Sequence, residues 1–418
     1  MKKREILLII VLIVFGVIYR AVEKGKMQFV NDFSFYSEER HLRGSKFAEF
    51  PEKEKLFAAV GKITIENPAG EVTVTRSSDG QVHLVSSIRV YYNDQRKVDE
   101  IRRKAVIRSV LDQGELKITG QATADFPYQN LRIFLRVLAP EGTALAISNQ
   151  EGDTIVRDTG RDVSIEQENG NLVLENIPSG LKLRMKNCNA DVKSIANNVE
   201  IYSSRSNLIL ENAGSVHFLG KHCDCSIKNV KNIVSLEHSY GKLVLDDIGK
   251  LEISAHFSSI VAKNIKDGAV ITNKYENIYL ENIKGDIRVA SRLSRMDLRN
   301  ITGRNVVIEN SFADTRIADF SGENLDMLIR NGNLDLQVKN VTNRINIESQ
   351  HAELDLAFGA LSDPTINIKT RQGHIYAESP LQLEKYEENT ESFLNRSGTK
   401  PEILINNVYG DIHLKSTN

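Results

Sequence analysis

From Leu145 onward, apolar residues recur in pairs two positions apart, and the pairs themselves recur about every 18 residues. One unit shows the whole pattern: Val163 and Ile165, then Gly170, then Leu172 and Leu174, then Glu175, Asn176 and Ile177. Apolar residues at i and i+2 give a strand with one buried face. Two such strands around a Gly-centred corner make two sides of a coil, and the apolar residue after the Asn supplies a third inward contact. Units that begin at Leu145, Val163, Leu181, Val199, Val216, Val234, Leu251, Ala269, Ile287, Val306, Leu325, Ile345, Ile366 and Ile403 all fit. At about 4.8 Å per turn, these roughly fourteen turns predict a rod of roughly 65 Å. The fold class expected is all-β: a parallel, single-stranded β-solenoid, right-handed by the general preference of parallel crossovers.

The polar columns of the repeat support side-by-side turns. One column alternates in charge: Arg157, Glu175, Lys193, Glu211, Lys228, Asp246, Lys263, Glu281, Arg299. Like charges in register would repel, whereas alternating signs give a ladder of ion pairs that fixes register more than it stabilises. The next column holds Asn176, Asn212, Asn229, Asn264, Asn282 and Asn300, with Asp158, Asp247 and Asp319 as variants. Stacked amides at a corner satisfy one another and the bent backbone. Gly70, Gly152, Gly170, Gly241, Gly332, Gly373 and Gly410 share the other corner, where a tight turn favours positive φ. They open no helix and precede no Walker lysine, so they form no phosphate loop.

The segments outside the repeat carry their own expectations. Lys2, Lys3 and Arg4 precede an unbroken apolar run from Ile6 to Tyr19, and no small-x-small cleavage site follows it. Residues 1–23 therefore read as an uncleaved signal anchor, a single-pass transmembrane helix of the bacterial cytoplasmic membrane. Its N-terminus is inside, and the solenoid lies in the periplasm or outside the cell. Residues 24–59, with Phe29, Phe33, Phe35, Phe47, Phe50 and Phe57, read as a juxtamembrane tether. Within an N-terminal β region at 60–144, Val98, Ile101, Ala105 and Leu111 share a helical face, so a helix over about 94–113 is expected to cap the open end. The solenoid proper spans 145–378; an acidic insertion loop at 379–400 includes Glu384, Glu387, Glu388 and Glu391, and 401–418 forms the terminal coil.

Composition narrows the function classes. A net charge of −1 gives no reason to expect nucleic acid. No Trp is present, which removes the commonest sugar-stacking platform, although Tyr202, Tyr240, Tyr275 and Tyr279 lie on or near outward positions. Three cysteines make no disulfide framework. His222, Cys223, His238 and His256 occupy similar corners on successive turns, and zinc would need three or four of them to converge. On one outer face Asp297, Arg316, Asp335 and Asp355, with Asp314 and Glu353 near by, offer carboxylates that could work as an acid and base pair, as in a polysaccharide lyase or hydrolase. No serine-nucleophile elbow, zincin helix or kinase signature accompanies them.

Several short segments carry a family resemblance: Ala139-Pro140-Glu141-Gly142-Thr143 at the entry to the repeat, Glu151-Gly152-Asp153, Glu168-Asn169-Gly170-Asn171, Lys284-Gly285-Asp286 and Tyr409-Gly410-Asp411. Over roughly residues 60 to 418 the chain resembles the bacterial "putative adhesin" domains of unknown function. That resemblance implies an exported, envelope-associated β-solenoid, and it supplies no catalytic residues and no cofactor. The expectation is a non-catalytic, envelope-anchored structural or binding protein, with polysaccharide or protein as partner besides the membrane. The alternatives are a carbohydrate-active enzyme using Asp297, Asp335 and Asp355, and a scaffold that self-associates end to end.

Overall fold

The computed structural model describes residues 46–122, 130–359, 361, 363–378, 384–388 and 391–416. They form a parallel β-solenoid of about 11 turns with a repeat of about 19 residues. The expected anchor at 1–23 lies outside the described residues. Among the described residues no helix is long and apolar enough to cross a membrane.

Each turn stacks on the next through parallel pairing in register. Leu172 faces Ala190, Ala190 faces Leu208, and Leu208 faces Cys225. The step between turns varies from 17 to 20 residues because corners absorb insertions while the strands keep their register. Inward columns such as Val163, Leu181, Val199, Val216 and Val234 are 0–3% exposed. Burying each such side chain contributes about 1.5–3 kcal/mol, so the core grows in proportion to the number of turns.

The corners depend on left-handed backbone. Asp158, Asn176, Ser194, Asn212, Asn229, Asp247, Asn264, Asn282, Asn300 and Asp319 all have φ between 52° and 62°. Asn and Asp enter this region at the least cost among residues with a Cβ, which explains the Asn column. At the Gly corner a Cβ on Gly152 would lie 2.2 Å from the carbonyl oxygen of Gly70, and one on Gly170 would lie 2.3 Å from that of Gly152. Positive φ is not the reason at every corner glycine. Gly332 and Gly373 lack it and are required instead by backbone 2.2 and 2.0 Å from the Cβ position.

Both ends of the rod break chain order. The first coil, strands Lys62–Asn67 and Val72–Arg76, lies between Glu115–Ala122 and Leu131–Ala139 on one side and Ala144–Asn149 and Thr154–Arg157 on the other. At the far end Glu402–Val408 and Ile412–Ser416 slot between Leu334–Gln350 with Leu354–Phe358 and Thr365–Arg371 with Ile375–Glu378. The turns beginning at Ile366 and Ile403 are therefore stacked in reverse sequence order. The stack has about 11 turns rather than the roughly fourteen expected, and its last two do not follow chain order.

Three expectations for the ends are corrected. The helix over 94–113 shrinks to Val98–Arg103, and Ala105–Asp112 is a strand paired antiparallel with Glu115–Ala122. The positive φ of Gln113 and Gly114 makes the tight hairpin turn that selects this pairing over a helix. The tether is not free of structure: Lys46–Pro51 and Lys55–Phe57 pair antiparallel with Val82–Tyr92, which itself covers Leu131–Ala139. The insertion at 379–400 contributes a hairpin, Glu384–Glu388 with Glu391–Arg396, laid antiparallel on Thr365–Arg371. Antiparallel strands thus stand at both ends of the parallel stack, where bare parallel edges would invite another rod.

We expect Gly152→Ala to lower stability by about 2–4 kcal/mol, because the methyl group must displace the backbone of the intercalated first coil. Urea unfolding checks this, and an unchanged midpoint would mean that Gly70 and Gly152 are not stacked.

Candidate functional site

Strand pairing brings the charge column together. Arg157, Glu175, Lys193, Glu211 and Lys228 face one another in sequence, as do Lys263, Glu281 and Arg299. Their side chains divide between two kinds of partner. Arg157–Glu175 at 2.8 Å and Lys263–Glu281 at 2.7 Å bridge turns, whereas Lys193 turns to Asp191 and Arg299 to Asp297 on their own strands. The Lys263 ammonium holds the Glu281 carboxyl below its ordinary range. The Asn column runs beside it: Asn176 donates to Asp158, Asn264 to Asp246, Asn282 to Asn264 and Asn300 to Asn282, at 2.6–3.0 Å. An open cleft of about 520 Å³ follows this corner, with Asn176, Asn212, Asn229, Lys231 and Lys266 on its walls.

The acidic column is continuous but largely occupied. Asp297 faces Arg316, Arg316 faces Asp335, and Asp335 faces Asp355. Arg316 lies 3.2 Å from Asp335, Arg299 lies 2.9 Å from Asp297, and Asp314 accepts the amide of Asn333. The intercalated last coil extends the column beyond what chain order suggests, placing His413 opposite Asp355 and Tyr376 opposite His413. These side chains stand on a flat strand face, and the Tyr376 and His413 rings stack at 4.8 Å.

The histidine and cysteine candidates do not assemble. Cys223 is buried, its sulfur 3.2 Å from the Ser203 hydroxyl, and the Cys225 thiol is pushed up by burial among core residues. His238 is 4% exposed: its Nε2–H donates to the Cys223 carbonyl at 2.9 Å, and Nδ1 lies 2.8 Å from the Ser258 hydroxyl. His222 and His256 point to solvent. Among the described residues no group of three or more His, Cys, Asp or Glu could hold a metal ion.

One column went unrecognised in the sequence. Just before the Gly corner, His222, Tyr240, Phe257, Tyr275, Leu293 and Phe312 each adopt φ between 52° and 80°. Their amides are tied into the stack, with Tyr275 donating to Arg292 and Phe312 to Arg330 on the following turns. From inside, His238 holds the Cys223 carbonyl, while Asn273 and Asn310 donate to carbonyls at Ser258, Glu276, Ser294 and Ala313. The corner is thereby over-determined, and it retains a conformation that bulky side chains disfavour. Outside, the rings stack: His222–Tyr240 at 4.8 Å, Tyr240–Phe257 at 4.9 Å and Phe257–Tyr275 at 4.4 Å, within 15° of parallel. The sequence signal was a residue type, a large apolar or aromatic side chain recurring at a turn position where Asn and Gly are the physical default.

A family model described as "Toastrack DUF4097" matches residues 60–415. Comparison with curated proteins gives no match. Among solved structures, a "putative cell adhesion protein" from Clostridium sporogenes is 10% identical, covering 88% of this chain and 100% of its own, with a TM-score of 0.15. A "putative lipid binding protein" from Parabacteroides distasonis is 9% identical over 75% of this chain and 97% of its own, with a TM-score of 0.20. A "putative adhesin" from Bacteroides fragilis is 8% identical over 90% and 98%, also with a TM-score of 0.20. Likenesses at these scores carry no argument about this chain.

Burial lowers the pKa of His238 below the ordinary value of 6.5. The unfolded chain then binds more protons than the folded one just below about pH 6.5, so this site's contribution is present above that pH and is lost as pH falls from there through the lower folded-state pKa. Urea midpoints at pH 7 and pH 5 test this: His238→Gln is expected to flatten the drop seen in the parent, and an equally steep drop in the variant would contradict it.

Proposed function

As the chain belongs to the DUF4097 Toastrack family, we propose that it is a non-catalytic rod of the bacterial envelope, acting as an adhesin-like structural or binding element. The observation that carries this reading is the acidic face. Of its carboxylates, Asp297 and Asp335 are paired with arginines and Asp314 accepts a backbone amide, so that of the facing residues Asp335 and Asp355 only Asp355 is without an ion pair among the described residues. A glycosidase needs two free carboxyl groups set across a substrate. What the rod offers instead is long, repetitive surface, which suits attachment to an extended polymer such as envelope polysaccharide or to a protein partner. In this reading the apolar run Ile6–Tyr19 anchors the chain in the cytoplasmic membrane and the repeat is exported. The antiparallel strands at both ends favour a discrete rod over end-to-end assembly.

Incubation of the full chain with purified envelope polysaccharides, followed by sizing of the glycans, tests the reading. Glycans retained at full length are expected, unchanged by Asp335→Asn with Asp355→Asn. Shortened glycans from the parent, with cleavage lost in that variant, would establish an enzyme instead.

A further inference from the structure

The aromatic corner has properties that the fold does not require. At the same column Asn187 and Asn331 show what the turn accepts without strain, yet five successive turns between them present Tyr240, Phe257, Tyr275, Leu293 and Phe312. These side chains remain 40–49% exposed. At about 4.8 Å per turn the strip from His222 to Phe312 runs roughly 24 Å along the rod. It is a convex edge, since every residue in it sits at the tip of a turn.

The adjoining column is cationic. Lys221, Ser239, His256, Lys274, Arg292 and Ser311 directly precede the strip residues and Arg330 precedes Asn331 on the next turn; strand pairing sets Lys221 beside Ser239 and His256 through Arg330 in one row. Lys221, Lys274 and Arg330 are exposed and form no ion pair among the described residues, while the Arg292 guanidinium lies 5.3 Å above the Phe312 ring. On the far side Asp224 and Asp314 are turned to backbone amides of Lys242 and Asn333, and Glu276 is exposed beside Tyr275.

We propose that this corner lies on the surface of an anionic lipid bilayer, with the ring edges in the headgroup–acyl boundary and the adjacent cations on lipid phosphates. Three observations select this occupant. The ring faces are covered by one another, so sugars have edges rather than faces to meet, and carbohydrate stacking is excluded along the strip. The edge is convex and runs over six turns, which offers a broad surface more contact than it offers a small molecule. Apolar side chains bordered by free Lys and Arg are the chemistry of an interfacial anchor. A second copy docking corner to corner would bring no acidic row to these cations, because the column beyond its own corner reads Asn207, Asp224, Lys242, Ser259, Asn277 and Arg295. The contact is separate from any polymer held on the other faces, so it stands or falls independently of glycan binding.

The chain has no Trp, so Tyr275→Trp makes a single depth probe. The full chain is reconstituted into phosphatidylcholine vesicles with brominated acyl chains, with and without phosphatidylglycerol. We expect severalfold stronger quenching at position 275 in the anionic vesicles than in neutral ones, and little quenching for Tyr279→Trp on the strand beyond the corner. Adding Tyr240→Asn, Phe257→Asn and Leu293→Asn to the Tyr275→Trp chain is expected to abolish that quenching while leaving circular dichroism and melting unchanged, since Asn suits the left-handed corner. Equal quenching at 275 and 279, or no dependence on anionic lipid, would overturn the proposal. So would a blue shift of the indole emission in the Tyr275→Trp chain that rises with protein density and is insensitive to bromine, which would assign the corner to a second copy.

Discussion

Everything in this rod follows from the stacking of one turn on the next by parallel backbone hydrogen bonds about 4.8 Å apart. That spacing forces each residue to meet its own counterpart above and below, so the chain must be compatible with itself column by column. Apolar columns solve the problem by packing, and the Asn column does so by amide-to-amide hydrogen bonds such as Asn300 to Asn282. The charged column solves it by alternating sign, though Lys193 and Arg299 show that an acid on the same strand serves as well. The corners add a second demand, left-handed backbone, which Asn and Asp meet at the least cost and which Tyr240, Phe257, Tyr275, Leu293 and Phe312 retain because the stack holds them.

A stack of identical turns has no natural end. Here both termini are clasped: the first coil lies beneath a later excursion, and the last coil lies inside an earlier one. Each terminal coil gains a neighbour on both sides, where a simple spiral would leave it one open edge. The excursions then close with antiparallel strands, which cannot propagate the parallel register to another rod. The long loops that this needs carry a modest entropy cost, because closure entropy grows only logarithmically with length.

Periodicity made the repeat legible because a solenoid writes its core as spacing: Val163, Ile165, Leu172 and Leu174 announce two inward strands without reference to any other turn. The ends were not legible in the same way. Ile403 and Ile405 carry the repeat's spacing whether they stack last or next to last, and no local property distinguishes the two; only pairing with Ile345 and Ile366 does. The segment after Lys104 misled because Val98, Ile101, Ala105 and Leu111 satisfy helical spacing, while the Gln113-Gly114 turn that decides for a hairpin lies outside that window. Asp297, Asp335 and Asp355 share one strand face through register, but spacing alone does not show that Arg299 pairs with Asp297 and Arg316 with Asp335. The aromatic corner escaped because its residues are one per turn, and a single outward Tyr or Phe is ordinary until register stacks it on the next.

The rod has clasped ends and corners whose backbone is held from inside by Asn273, Asn310 and His238, and its surface chemistry lies in which columns face outward. Hydrogen exchange measured along the whole chain probes the underlying claim, that register is continuous from the first coil to the last. The account predicts slow exchange at the corner amides of Tyr275, Leu293 and Phe312, and protection of Glu402–Val408 matching that of the central turns. Rapid exchange of Glu402–Val408, as in a frayed terminus, or of the corner amides would contradict it.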